Sequence, residues 1–342
     1  MKAVIFEGHG DAGVLAYRDL PAPTPAAGEV LVRVRAVALN HLDVWVRKGW
    51  SGLKLKLPHV LGSDVAGTVE ALGAGVTDLK SDTPVVINPG ISCGHCAACL
   101  RGQDNLCRDY RILGEHLSGG YCELLAVPRQ NIVPKPVNLS FDEAACLPLT
   151  FLTAWTMLAR RARLGPGETV LIQAAGSGVG SAAVQIAKLL GATVIATAST
   201  DAKLIKAKGL GADQVINYVK QDFLAEVKRL TGRKGVDVVF EHVGGETFEK
   251  SVACLPYGGR LVTCGATSGA QVSLDLRVLF YKRLSLLGST MGSKGDLFDL
   301  VRLVEAGRLR PVLDRTLPLS EAAAGHRLLE DRAQFGNIVL NP

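Results

Sequence analysis

Apolar and polar positions change rhythm part-way along the chain. Before residue 150 they come in short runs. Residues 30–37 (Val-Leu-Val-Arg-Val-Arg-Ala-Val) carry arginines at alternate positions, the two-residue period of a half-buried strand. Pro21, Pro23, Pro25 and Gly28 precede it and forbid a helix there. Residues 65–72, closed by Gly73 and Gly75, predict a second strand, and residues 84–88 a third. This segment reads as an all-β start with irregular loops.

After residue 150 short apolar runs alternate with helical stretches. Strands are expected at 169–173, 193–198, 214–218, 236–241 and 260–264, and helices at 181–190, 201–210, 223–231 and 246–254. Gly191 and Gly211 stop the first two helices. Strands alternating with helices of about ten residues indicate βαβ units and a parallel sheet. The tail reads as helices at 296–305 and 320–330 and a final strand at 337–340. No repeat and no low-complexity segment interrupts this order.

Composition narrows the function classes. A chain of 342 residues allows about two domains. With 48% hydrophobic and 20% charged residues it can build a large core, which excludes disorder. Aromatic residues make up only 5%, which argues against a stacking surface for RNA or carbohydrate. The net charge of +6 is mild and no basic block occurs, so nucleic acid is not an expected partner. The longest uncharged stretch, 144–159, contains Pro148 and falls short of a membrane span. The first residues, Met-Lys-Ala-Val-Ile-Phe-Glu, hold no long apolar run and no cleavage site. A cytoplasmic protein with reduced cysteines and no membrane partner is expected.

Cys93, Cys96, Cys99 and Cys107 follow the spacing C-x2-C-x2-C-x7-C. Four thiolates so close suit one tetrahedral structural Zn2+. An iron–sulfur cluster also takes four cysteines, but at other usual spacings; four unligated thiols are the remaining reading. Cys122, Cys146, Cys254 and Cys264 are scattered among apolar residues and read as core. His95, inside the cysteine run, reads as a solvated side chain.

Ala174-Ala175-Gly176-Ser177-Gly178-Val179-Gly180 joins a strand to a helix. Such a turn brings backbone N–H groups and a helix N-terminus against a pyrophosphate, and Gly176, Ser177, Gly178, Val179 and Gly180 are candidate cofactor contacts. An unoccupied structural turn is the alternative. The next strand ends Thr197-Ala198-Ser199-Thr200, without the carboxylate that accepts from an NAD ribose. Ser199 and Lys203 could donate to a 2′-phosphate, so NADPH is expected, with NADH as the alternative. Asp201 is the dissenting charge, at a position that fits a helix cap. Lys203 as an ordinary surface residue is the competing reading.

Together these residues resemble the medium-chain dehydrogenase/reductase superfamily over essentially the whole chain. Gly62-Ser63-Asp64-Val65-Ala66-Gly67 resembles the Gly-His-Glu-x-x-Gly segment of zinc alcohol dehydrogenases. Asn40-His41-Leu42-Asp43 resembles their Cys-His-Thr-Asp segment, and 144–153 the stretch carrying their third catalytic zinc ligand. The glycine turn is closer to the quinone oxidoreductase branch, which has no catalytic zinc. The resemblance implies an α/β protein: a GroES-like β-rich catalytic domain (1–150 with 291–342) and a Rossmann domain with a doubly wound parallel sheet (151–290). The active site is expected in the cleft between them.

The departures from the family decide the chemistry. Its catalytic zinc ligands correspond to Asn40, Ser63 and Leu149, a set that does not suit zinc. Its proton relay corresponds to Leu42 and Trp45. The carboxylates survive as Asp43 and Asp64, and with Asn40, able to hydrogen-bond a substrate oxygen, they form the expected catalytic set. A replacement metal on His41, His59 or Asp64 is the less favoured alternative. The resemblance further implies cofactor contacts: His41 at the pyrophosphate, Val243 and Gly244 at the adenosine ribose, and Thr153, Cys264, Ala266, Ser289 and Met291 at the nicotinamide end. Gly336-Asn337 stands where relatives carry a Gly-Lys pair, so one anion contact is missing.

The expected reaction is hydride transfer from NAD(P)H to a quinone or an α,β-unsaturated carbonyl, a small-molecule substrate, without catalytic zinc. Alcohol–aldehyde interconversion is the alternative, and a non-catalytic nucleotide-binding protein a third. The apolar run at 283–289 is where family dimers pair, so a homodimer or a dimer of dimers is expected.

Overall fold

The computed structural model describes residues 1–342, which divide into two compact units: Met1–Leu152 with Gly292–Pro342, and Thr153–Met291. The first unit is built around the strand Glu29–Ala38. It pairs antiparallel with Asp64–Leu72, Leu124–Pro128 and Asn337–Asn341. Val30, Val32, Val34 and Val37 enter the core with Val65, Val69 and Leu340. Arg35 faces outward and Arg33 pairs with Glu70 across the ladder at 2.8 Å. The alternation read from the sequence holds at Arg33 and Arg35, and the register shift between Val34 and Ala36 ends it.

The all-β reading of the opening segment needs correction: His41–Lys48 is an α-helix. Asn40 stands before it in an extended conformation, and its N–H donates to the Asp43 carboxylate at 2.7 Å, half of a capping box. Two of the eight residues are valines, yet burial of Val44, Val46 and Arg47 overrides their strand propensity. The helix Pro148–Trp155 with its π-turn Thr156–Arg161, the helix Leu276–Tyr281 and the strand Leu313–Pro318 also went unread.

The cysteine-rich lobe is tied to the helix Lys294–Glu305. The Lys294 ammonium reaches the Asp104 carboxylate at 2.9 Å and the Ser92 hydroxyl at 2.8 Å, while Lys294 N–H donates to the same carboxylate. Both charged side chains are largely shielded from water, where such a pair is least screened.

The second unit holds six parallel strands: Thr169–Ile172, Thr193–Ala198, Gln214–Asn217, Val238–Glu241, Arg260–Thr263 and Ser285–Gly288. Their spatial order is third, second, first, fourth, fifth, sixth, the doubly wound Rossmann arrangement. Two boundaries differ from expectation. The helix after the glycine turn is Gly178–Leu189, beginning three residues early, because Ser177 caps it by accepting from Gly180 N–H at 2.9 Å. The helix Asp201–Gly209 is capped by Thr200, not by Asp201. No helix is long and apolar enough to cross a membrane.

Candidate active site

The four cysteine sulfurs converge. Cys96 and Cys99 Sγ are 3.5 Å apart, Cys93 and Cys107 3.6 Å, and Cys93 and Cys99 3.9 Å. All four lie within 4.8 Å of one another. A tetrahedral ion with bonds of about 2.3 Å holds its sulfurs about 3.8 Å apart, so the set fits zinc. Hydrogen bonds from the backbone of His95 and Cys96 bring the Cys93 thiol down to about 6, toward the thiolate a metal needs. The exposed His95 ring turns to the Cys93 carbonyl at 2.8 Å. Cys122, Cys146 and Cys254 are buried, and Cys264 is half-buried.

In the second unit the expected cofactor residues follow the strands at the carboxyl edge of the sheet. The turn 174–180 follows Ile172, Ser199 follows Ala198, and Val243 and Gly244 stand just past Glu241. Cys264 and Ala266 follow Thr263, and Ser289 follows Gly288. Thr153 and Met291 mark the two ends of the unit. In the turn, Ala174 is left-handed (φ +48°), and a Cβ on Gly180 would sit 2.4 Å from the Ala174 carbonyl oxygen. Any other residue at 180 would push the helix start off the strand. Val243 and Gly244 donate their N–H groups to the buried Glu241 carboxylate at 3.0 Å each, which fixes that loop.

Asp201 is committed elsewhere. Its two oxygens take Asn217 Nδ2 at 2.7 Å and Lys220 Nζ at 2.6 Å. Tyr218, which sequence reasoning missed, sits beside Ala198, with its N–H on the Ala198 carbonyl at 3.2 Å. It is the first residue after the neighbouring strand Gln214–Asn217 and carries no motif.

In the first unit, two of the three positions matching family zinc ligands are bound to Asp64. Asn40 Nδ2 donates to Asp64 Oδ2 at 2.9 Å, and Leu149 N–H donates to Asp64 Oδ1 at 2.6 Å. The Ser63 hydroxyl is spent on the Leu113 carbonyl at 2.7 Å. His59 gives its Nε2 to the Gly114 carbonyl at 3.1 Å. An amide, an alkyl side chain and a committed hydroxyl do not fit a catalytic zinc. Asp43 takes Asn40 N–H at 2.7 Å and Gly62 N–H at 3.0 Å.

Asp43 and Asp64 are both fully buried. Burial pushes Asp43 up to about 6 against the N–H donors of Asn40 and Gly62. It pushes Asp64 up to about 7 against Asn40 and Leu149, and the Asp43 charge adds to the rise. His41 is held below its ordinary value by burial and then by the Arg332 charge, so a neutral imidazole faces neutral pH.

Two family profiles match the chain: the alcohol dehydrogenase GroES-like domain over residues 26–137 and the zinc-binding dehydrogenase over residues 178–306. An NAD-dependent alcohol dehydrogenase of Saccharolobus solfataricus is 34% identical over 337 residues, covering 96% of each chain. The chain belongs to the medium-chain dehydrogenase/reductase superfamily. Within that superfamily, an acryloyl-coenzyme A reductase of Metallosphaera sedula is 32% identical over 99% of both chains. A crystal structure of an NAD-dependent alcohol dehydrogenase matches with TM-score 0.97 at 54% identity, covering all of both chains. Like other members of this superfamily, the protein is an NAD(P)-dependent oxidoreductase with a GroES-like domain and a Rossmann domain.

Proposed function

We propose that this enzyme reduces a conjugated acceptor, a quinone or an α,β-unsaturated carbonyl compound, with NADPH and without a catalytic metal. The observation that carries this is the state of Asn40, Ser63 and Leu149: their polar atoms are directed at Asp64 or at a carbonyl and leave no ligand set. When bound, the reduced nicotinamide supplies the hydride. The chain supplies a donor for the acceptor oxygen. One N–H of the Asn40 amide is held by Asp64; the other points at the Ala38 carbonyl across 3.5 Å, too far for a strong bond, and is free to stabilise developing charge. Asp64, near 7, is tuned to the range where a carboxyl exchanges protons at neutral pH. The acryloyl-coenzyme A reductase among the relatives acts on a conjugated acyl group, as its name states, and supports the reading. Alcohol–aldehyde interconversion has the names of other relatives in its favour.

The test is NADPH consumption with small enones and quinones, in wild type and Asn40→Ala. Turnover is expected with at least one acceptor class. Asn40→Ala should lower kcat about 10²–10³-fold, as loss of an oxyanion donor does, with the NADPH KM unchanged. No turnover with any conjugated acceptor refutes the reading.

NADPH is proposed on Ser199 and Lys203. Asp201, turned to Lys220 and Asn217, leaves the ribose end without a free carboxylate. Lys203→Glu should raise the NADPH KM about tenfold more than the NADH KM, roughly 1.4 kcal/mol of discrimination. Equal effects on both would remove Lys203 from phosphate recognition.

We also propose a homodimer, or a dimer of dimers, through the sheet edge Ser285–Gly288. That strand pairs on one side only, and the helix leading into it exposes Leu276, Phe280 and Tyr281. Such an edge invites pairing with a second copy. Sedimentation at micromolar concentration should give at least twice the chain mass; a monomer refutes it.

A further inference from the structure

Strands in the middle of a parallel sheet are covered on both faces and ordinarily carry apolar side chains. Two polar residues break that rule at the carboxyl edge of the second unit's sheet. Thr197 stands in the strand Thr193–Ala198, and Gln173 directly follows the strand Thr169–Ile172. Both are buried. Buried polar side chains need partners, and these two have them in one continuous run.

The Ala174 N–H donates to Thr197 Oγ1 at 3.1 Å. The Thr197 hydroxyl has one proton, and it goes to Gln173 Oε1 at 2.8 Å. That bond sets which way the Gln173 amide faces. Its Nε2 donates to Ser251 Oγ at 3.2 Å, in the helix Glu246–Ala253. His242 Nε2 lies 3.0 Å from the Gln173 carbonyl, which can only accept, so that nitrogen carries a proton. The Gln173 N–H donates to the Phe240 carbonyl at 3.1 Å. All four polar groups of Gln173 are thus engaged.

The other end of the run is the glycine turn. Ala174 has φ +48°, the left-handed region where glycine is at home and an alanine stays only when its surroundings hold it. Thr197 holds it twice. Its side-chain oxygen takes the Ala174 N–H, and its carbonyl takes the Ala175 N–H at 2.8 Å. The Ala174 carbonyl in turn accepts from Ser177 N–H at 3.0 Å, and Ser177 caps the helix Gly178–Leu189. The conformation of one alanine therefore aims the N–H groups that a pyrophosphate would meet.

We propose that Thr197 and Gln173 are positioning residues for the coenzyme: they hold Ala174 left-handed and so keep the glycine turn set for the pyrophosphate before the coenzyme arrives. Thr197 makes the bond, Gln173 fixes the direction of its hydroxyl, and Ser251 and His242 brace Gln173 from the far side. A turn already in its bound form needs no ordering when the coenzyme binds; a loosened one does, and affinity falls by that cost. The role is indifferent to the 2′-phosphate and to the substrate, so it stands apart from the acceptor and the coenzyme preference proposed above.

The test begins with the coenzyme-free protein. Amide hydrogen exchange read by NMR should show the Ala174 N–H protected in wild type; an unprotected Ala174 amide overturns the proposal. Thr197→Val, which keeps the shape and removes the hydroxyl, should open that amide to exchange. Calorimetric titration should then show NADPH and NADH weakened by the same factor, about tenfold, the upper end of what one buried hydrogen bond contributes. Thr197→Ser should restore wild-type affinity. Ala174→Gly added to Thr197→Val should recover most of the lost affinity, because glycine takes the left-handed conformation unaided. The melting temperature should stay lowered, since Gln173 Oε1 is still without its donor. A lowered melting temperature with both affinities unchanged would show a purely structural role and overturn the proposal. So would a further loss of affinity in the double variant, or a loss confined to NADPH, which would put Thr197 at the ribose phosphate instead. If Thr197→Val does not fold, Gln173→Leu carries the test: the Thr197 hydroxyl is then free to turn, and both coenzymes should weaken about threefold. Unchanged affinities in a folded Gln173→Leu protein overturn the proposal.

Discussion

Cys99→Ser should strip the protein of its zinc and loosen the lobe around it. Cys99 Sγ stands 3.5 Å from Cys96 and 3.9 Å from Cys93, so a shorter, un-ionised hydroxyl there leaves three sulfurs and an open corner. Structural zinc binding is folding free energy, about 10–16 kcal/mol in small isolated zinc domains. Within a larger core only part of that reaches global stability. A loss of about 3–5 kcal/mol is expected, which in a unit of this size lowers Tm by roughly 10 °C. The loosening should travel, because Asp104, between two of the cysteines, is bound to Lys294 at the head of another helix. Elemental analysis of the wild type should give one zinc per chain, and scanning calorimetry of the variant the drop in Tm. An unchanged Tm with zinc absent would show the lobe to be an ornament of the fold.

Oxidation of simple alcohols should be slower than reduction of a conjugated acceptor by at least about 10²–10⁴-fold, the range general-base assistance covers. Taking hydride from an alcohol requires losing the hydroxyl proton at the same time. A catalytic metal makes that easy by acidifying the bound oxygen, the effect that moves the pKa of metal-bound water from 15.7 to about 7. Here Asn40, Ser63 and Leu149 give no such ligand set, and Leu42 and Trp45 supply no relay. Asp43 and Asp64 could accept a proton, but their oxygens already accept from Asn40, Gly62 and Leu149. A conjugated acceptor avoids the difficulty, since charge spreads to an oxygen that Asn40 can meet. The measurement is kcat/KM for NADP⁺ with ethanol and benzyl alcohol against NADPH with enones and quinones. Faster alcohol oxidation that chelators abolish would mean that a metal is recruited after all.

Much of the fold was legible because it rests on local pattern. The alternating arginines at 33 and 35 and the glycine turn at 176–180 each sit where backbone geometry leaves few choices, and the cysteine spacing is itself a local signature. The helix His41–Lys48 was not legible, because its valines and tryptophan suit a strand and only burial against distant residues makes it helical. The same holds for the site. Asn40, Asp43 and Asp64 could be picked out by position, but their hydrogen bonds could not. In the core, the bonded pair Tyr121 and His326 escaped altogether: they are 205 residues apart, and neither lies in a motif. Arg47 stands in no motif either, and it is among the most deeply buried side chains.

The order in which the chain is made bears on the site as well. Leu39, next to Asn40, gives its N–H to the Ile338 carbonyl at 2.9 Å, and Val339 pairs with Ala38 in the sheet. The strand Asn337–Asn341 leaves the ribosome only after all of Thr153–Met291, a unit whose six strands are contiguous in sequence and can fold as they emerge. The nucleotide-binding half therefore matures first. Asn40, the proposed donor to the substrate, is locked in last, when the returning strand closes the ladder beside it, so a nascent chain would be competent for its coenzyme well before it is competent for turnover.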